Sequence, residues 1–249
     1  MRKVLIVSLL LAMVLCVKIV PAWAQDGIAG VDAAWVKRSG SLEQNKQMLA
    51  MAEKAFADGG GYEAAWRAAR SAFWICDRTT DKKIKEEFGK KGWDWGTKAI
   101  ELAPARVEGY YYGCISLGEY GTGIGILRAV TKGLGGKYEK LGNQATTINA
   151  SFDMGGPYRA MGRYYQLLPK PLRNLTKAEE LYKKNDAIAA CMIRTKFYLV
   201  ELYMEREDWD KARATADAAL ANPGCAGYQY EDNFYKEEIK KLQKKFPAK

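Results

Sequence analysis

The chain of 249 residues contains no histidine. That absence excludes Ser-His and Cys-His nucleophilic catalysis, histidine zinc sites and covalent haem attachment. No Cys-x-x-Cys occurs either, so neither a thioredoxin-like redox centre nor a zinc knuckle is expected. The apolar run from Val4 to Val17 is stopped by Lys18, short of the ~20 residues that a membrane-spanning helix needs. Carboxylates do occur in pairs, Glu86-Glu87, Glu179-Glu180 and Glu237-Glu238. Adjacent residues point to different sides of a helix, so these pairs read as solvated surface rather than as acid and base. No catalytic, cofactor-binding or metal-ligating residue is therefore assigned, and the chain is not expected to be an enzyme.

What is present begins with an export signal. Arg2 and Lys3, the apolar run, and the small-residue exit Ala22-Trp23-Ala24 have the layout of a cleaved secretory segment over residues 1–24. Cys16 follows Met13-Val14-Leu15 rather than small residues, so no lipobox is present and Cys16 is an ordinary signal residue. The expected compartment is the periplasm, with a mature chain from about Gln25 and a flexible segment over 25–41. Cleavage removes three basic residues and no acidic one, which takes the formal charge from +10 to +7. In an exported chain without a nucleic-acid motif, that excess favours solubility and acidic partners, not nucleic acid.

Four cysteines remain, an even number in a disulfide-permissive compartment. Cys191 opens one expected helix and Cys225 follows its antiparallel partner, so the two lie at one end of a hairpin and can pair. Cys76 and Cys114 pair only by elimination, and two buried free thiols are an equal alternative.

Periodicity gives helices throughout. Between Gly155 and Pro223 four amphipathic helices form two antiparallel pairs. In the second pair Ile193, Phe197, Val200 and Met204 share one face, and Trp209, Ala212, Ala216, Ala219 and Leu220 share another, with Pro223 at the exit. This is the layout of a tetratricopeptide-type repeat of roughly 34 residues. Upstream, helices are expected over 42–57, 62–76, 81–102, 106–117 and 138–148, and the exit Ala99-Ile100 then Pro104 repeats Ala219-Leu220 then Pro223. Gly118 to Gly142 is the least regular stretch. Its Gly121-x-Gly123-x-Gly125 lacks the Gly-Lys-Ser/Thr ending of a phosphate loop and reads as close helix packing. Gly155-Gly156-Pro157 marks a helix start, and 233–246 is a last, capping helix. The expected fold is all-α: a right-handed α-solenoid of such hairpins over residues 42–249, with extra flanking helices.

A solenoid has a concave face. With Gly162 in the small-residue place of its repeat, Arg159, Arg163 and Gln166 fall on that face, and Arg194, Phe197 and Glu201 do so in the next repeat. Tyr110, from the cluster Tyr110-Tyr111-Tyr112, joins them as a candidate binding residue. A solvated outer face is the competing reading.

The segments VEGYYYGCISLGEYGTGIGILRAVTKGL, DMGGPYRAMGRYYQLLP and DWDKARATADAALANP, preceded by GYEAAWRAARSAFW, resemble the TRAP transporter T-component (TatT) family of bacterial envelope proteins. The likeness runs from about Leu42 to Pro223, and its most specific piece is Gly155 to Tyr165. It implies an all-helical fold of cryptic tetratricopeptide-type repeats that associates with the solute-binding component of a TRAP uptake system. The expected partner is thus a periplasmic solute-binding protein or another envelope protein, with no cofactor. A small apolar or anionic ligand in the solenoid interior, a general envelope scaffold and a homo-oligomer stay open.

Overall fold

The computed structural model describes residues 22–248, and the expected signal segment lies outside them except for Ala22–Ala24. Twelve helices follow one another among the described residues: α1 (Ala22–Val36), α2 (Leu42–Ala55), α3 (Gly61–Asp77), α4 (Lys82–Leu102), α5 (Val107–Ile124), α6 (Ile126–Thr131), α7 (Leu134–Asn149), α8 (Phe152–Leu167), α9 (Leu175–Ile188), α10 (Ile193–Glu205), α11 (Trp209–Ala221) and α12 (Gln229–Gln243). Short polar residues start several of them. Ser41, Asp81, Asn174 and Asp208 each accept a backbone N–H of the first turn, which satisfies donors that have no partner within the helix.

Successive helices pack as hairpins, and on one side only does every second helix touch the next, so an inner row in contact and an outer row resting on it form two layers. The inner layer is α1, α3, α5, α8, α10 and α12; the outer layer is α2, α4, α7, α9 and α11. This is the expected α-solenoid of helix hairpins. The alanine seam of α11 buries Ala212, Ala216 and Ala219 completely, which lets α10 approach closely.

Three sequence expectations change. Most of the segment 25–41 is helical, as α1, where Val31 is wholly buried beside Met48, Leu49 and Trp74. Val31, Ala34 and Trp35 recur at spacings of three and four and give that helix an apolar face. Second, α5 continues seven residues beyond Leu117, through the glycine-rich stretch. The glycines are there because α4 and α5 run almost backbone to backbone. A Cβ on Gly96 would stand 2.7 Å from the Gly113 nitrogen, one on Gly89 2.8 Å from the Tyr120 Cα, and one on Gly123 2.7 Å from the Glu86 Cα. Third, α8 opens with a left-handed turn at Asp153, Met154 and Gly155 (φ 49°, 54° and 73°), and regular helix begins only at Gly156-Pro157. Non-glycine residues rarely adopt positive φ, and two in a row require the surroundings to hold them.

Candidate functional site

What holds that turn is the centre of the molecule. The Asp153 carboxylate accepts from the Tyr111 hydroxyl of α5 (2.6 Å), from Tyr228 in the α11–α12 loop (2.7 Å) and from Arg159 one turn along α8 (2.9 Å). The Arg159 guanidinium also donates to the carbonyls of Asp153 and Met154, and Asn185 of α9 donates to the second of these (2.7 Å). The strained backbone is therefore over-determined by four elements. Burial would depress the Arg159 pKa, but Tyr111 and Asp153 beside it hold it above its ordinary value.

Two further knots of charge join the ends of the solenoid. Asp77, at the last turn of α3, accepts from Arg194 at the first turn of α10 (2.6 Å) and from its neighbour Arg78. Burial alone would raise the Asp77 carboxyl, and the charges of Arg194 and Arg78 outweigh that and hold it below its ordinary value. Arg38, just after α1, forks onto the Glu231 carboxylate of α12 (2.7 and 2.9 Å) and donates to the Gly227 carbonyl (2.8 Å). The inner layer thus curls until its first and last helices are clasped. Aromatic rings fill the space between: Trp35 against Trp74, Trp74 against Tyr230, and Tyr111 with Tyr112 against Phe152. Arg78 lies over the Trp74 and Phe234 rings. The interior cavity bounded by Trp35, Phe73, Tyr112, Arg159, Arg194 and Tyr228 measures about 20 Å³, room for one water. A wider notch between α1 and α2, about 190 Å³, opens at the surface beside Lys37, Gln44 and Met51. Both are below the ~300 Å³ of ordinary ligand pockets.

The candidate residues divide accordingly. Arg159 and Gln166 are buried and not on an open face; Arg159 serves Asp153, and Gln166 accepts from the Tyr182 hydroxyl (2.7 Å). Arg194 is largely buried against Asp77, and Phe197 packs on Tyr235 of α12 (centroids 5.2 Å apart). Tyr110 is half-buried beside the Ala69–Tyr111–Tyr112 cluster. Arg163 and Glu201 remain half-open, 2.7 Å apart across α8 and α10, with Arg163 over the Tyr198 ring. One turn further along α10, Glu205 accepts from Gln166 (3.1 Å) and Arg173 (3.0 Å). This polar strip with one aromatic is a part of the inner layer that stays half-open.

Cys191 and Cys225 are bonded (S–S 2.05 Å), tying the start of α10 to the loop that carries Tyr228. The Cys76–Cys114 pairing is corrected. Cys76 faces the Ile84 and Lys85 carbonyls of outer helix α4, whereas the Cys114 thiol donates to the Tyr138 carbonyl of α7 (3.5 Å). Each is engaged by a different outer helix and both stay free, and burial raises both thiols far above the ordinary range. Replacing Cys191 and Cys225 together by serine is expected to lower stability by roughly 2–4 kcal/mol, from the added freedom of the unfolded chain. Urea unfolding followed by circular dichroism checks this, with the reduced wild type expected to fall on the same curve.

Sequence reasoning missed Asp77, Asp153, Arg38, Tyr228 and Glu231. A signal existed only for Asp153, since an acidic residue two places before Gly-Gly-Pro favours a left-handed turn. Among the described residues no cluster of three His, Cys, Asp or Glu side chains could hold a metal ion, and no helix is long and apolar enough to cross a membrane.

Two layers of hairpins, a small-residue seam and a curled inner face define a helical-repeat protein of the tetratricopeptide type. A solved thermophilic TPR protein of Thermus thermophilus superposes with a TM-score of 0.67 over 88% of this chain and 98% of that one, at 17% identity. Yeast Tom70 covers 89% of this chain and 59% of its own at 11% identity and a TM-score of 0.34, too loose a fit to carry a comparison. The family model described as RMD1-3, regulator of microtubule dynamics protein 1-3, matches residues 30–134, from α1 to the start of α7. No curated protein matches the chain.

Proposed function

We propose that this chain is a non-enzymatic binding module of the periplasm, and that its partner is the solute-binding protein of a TRAP-type uptake system. In this reading the chain from Gln25 onwards, α1 included, acts as one helical-repeat unit capped by α12, after cleavage at Ala24. The observation that carries it is the half-open strip of Arg163, Tyr198, Glu201 and Glu205. Arg159 and Gln166 are buried among the chain's own side chains, and the cavity beside Arg159 and Arg194 has room for one water, which disfavours a carrier with its ligand in the bore. Arginine and tyrosine at a half-buried position are the residue types that dominate protein interfaces. The likeness of Gly155–Tyr165 to T-components supports the choice of partner, and the Cys191–Cys225 bond suits an oxidising compartment.

Reversing both charges of the pair (Arg163→Glu with Glu201→Lys) keeps an ion pair on the protein while inverting what a partner meets. A solute-binding protein recovered in equal amount with the tagged wild-type protein from native periplasm is expected to be lost, more than tenfold, with this variant. Equal recovery by both overturns the strip as the interface, and recovery of no solute-binding protein by the wild type overturns the uptake role. Arg159→Glu is unsuitable as a test, because it buries a carboxylate against Asp153.

The family match over residues 30–134 favours a second reading, that the chain regulates microtubule dynamics. It predicts co-sedimentation with microtubules, which the first reading does not.

A further inference from the structure

A plain hairpin turn would join α5 to α7, yet nine residues, Gly125 to Gly133, intervene and fold as the outlying helix α6. Only Ala129 of that helix is buried, and with Leu134 it anchors the segment to the core. The opposite side presents Leu127, 79% exposed, with Ile126 and Val130 each 48% exposed. The spacing puts Ile126 and Val130 on one face, one turn apart. Exposed aliphatic side chains this close together mark an interaction surface.

The segment's own charges are of one sign, and an exposed carboxylate stands across on α4, where Glu86 packs by its backbone against Gly123. No acidic residue lies between Glu119 and Glu139, a stretch that contains Arg128, Lys132 and Lys137, all exposed. The α8–α9 loop continues the pattern at the same end of the solenoid, because Tyr164 near the end of α8 stacks on Tyr138 of α7. The end of α8 and that loop expose Leu167 and Leu172 around Lys170, with no acidic residue between Gln166 and Ala178 in the sequence, Arg173 being paired with Glu205 of α10.

We propose that α6 is a membrane-docking element: its aliphatic side chains enter the surface of an anionic phospholipid bilayer while Arg128 and Lys132 meet the headgroups. Charge complementarity selects this occupant. The knob exposes only aliphatic side chains, and the charges it carries, Arg128 and Lys132, are both cations, whereas a protein-binding surface would carry aromatic anchors and charges of both signs. Each basic side chain held near an anionic leaflet strengthens binding several-fold, and salt weakens the effect.

The test is co-sedimentation of the purified protein with vesicles of phosphatidylcholine alone and with phosphatidylglycerol added. The wild type is expected to sediment with the anionic vesicles and to be released by raised salt. Leu127→Glu, at a position too exposed to disturb the fold, is expected to weaken this about tenfold, and Arg128→Glu with Lys132→Glu at least as much. Unchanged thermal melting confirms that both variants are folded. Wild-type protein left in the supernatant with anionic vesicles overturns the proposal, as does undiminished binding by Leu127→Glu. A smaller oligomer for Leu127→Glu on gel filtration also overturns it, by assigning the knob to contact between copies of the chain.

Discussion

Replacing Asp77 by alanine is expected to destabilise the protein by about 3–5 kcal/mol, the cost of breaking a buried ion pair from one side. Two guanidinium groups depend on that carboxylate. Arg194 is 11% exposed in its side chain and Arg78 4%, and Arg78 already has Nε and Nη1 without a hydrogen-bond partner. Without Asp77 both cations stay in the interior without their nearest carboxylate, Arg78 against aromatic faces and Arg194 beside Tyr235 and the more distant Glu231. Asp77→Asn keeps the acceptor oxygen and removes the charge, so it is expected to lie between alanine and wild type. The pH dependence separates charge from shape. Because the folded Asp77 carboxyl titrates below its ordinary 3.8, its contribution is complete above that value and is lost as pH falls through the folded one. Urea midpoints of wild type and Asp77→Asn are therefore expected to differ most near neutrality and to converge in acid. A constant gap down to about pH 2 would show that the carboxylate charge is not what stabilises the junction.

Gly96→Leu is expected to cost more than ~3 kcal/mol and to leave α4 and α5 undocked, because neither backbone can retreat without opening the whole seam. Two controls isolate the cause. A Cβ at Gly113 would meet its nearest atom at 3.4 Å, so Gly113→Ala should be close to neutral. Gly136, exposed within α7, has nothing within 4 Å, and Gly136→Ala is expected to stabilise by about 0.5–1 kcal/mol through its helix preference. Thermal melting of the three variants would rank them in that order. A well-folded Gly96→Leu protein would mean that α4 and α5 have another way to pack.

The helices α8, α10 and α11 were legible from Gly155-Gly156-Pro157 at a beginning, the apolar stripes of the second pair, alanines at the seam and Pro223 at the end. The Cys191–Cys225 bond was legible for the same reason, since a hairpin of known length fixes which ends meet. Glycine hid the rest of α5, since glycine selected for close approach has the same composition as glycine in a loop. The candidate face was legible only as a face. Periodicity placed Arg159, Arg194 and Phe197 on the inner layer, but whether that layer stays open depends on where Tyr228, Glu231 and Tyr235 fold back. Such contacts join residues far apart in the chain, Asp77 and Arg194 by 117 positions and Asp153 and Tyr228 by 75, and leave no local trace.

The clasp between Arg38 and Glu231 changes what kind of mechanical object this is. An open solenoid resembles a spring whose coils detach one at a time, because each repeat leans only on its neighbours. Here the two ends of the spring are hooked together across 193 positions of chain. A tether pulling the termini apart loads the hook before any coil, so extension should record one abrupt rupture followed by collapse, not a staircase of equal steps.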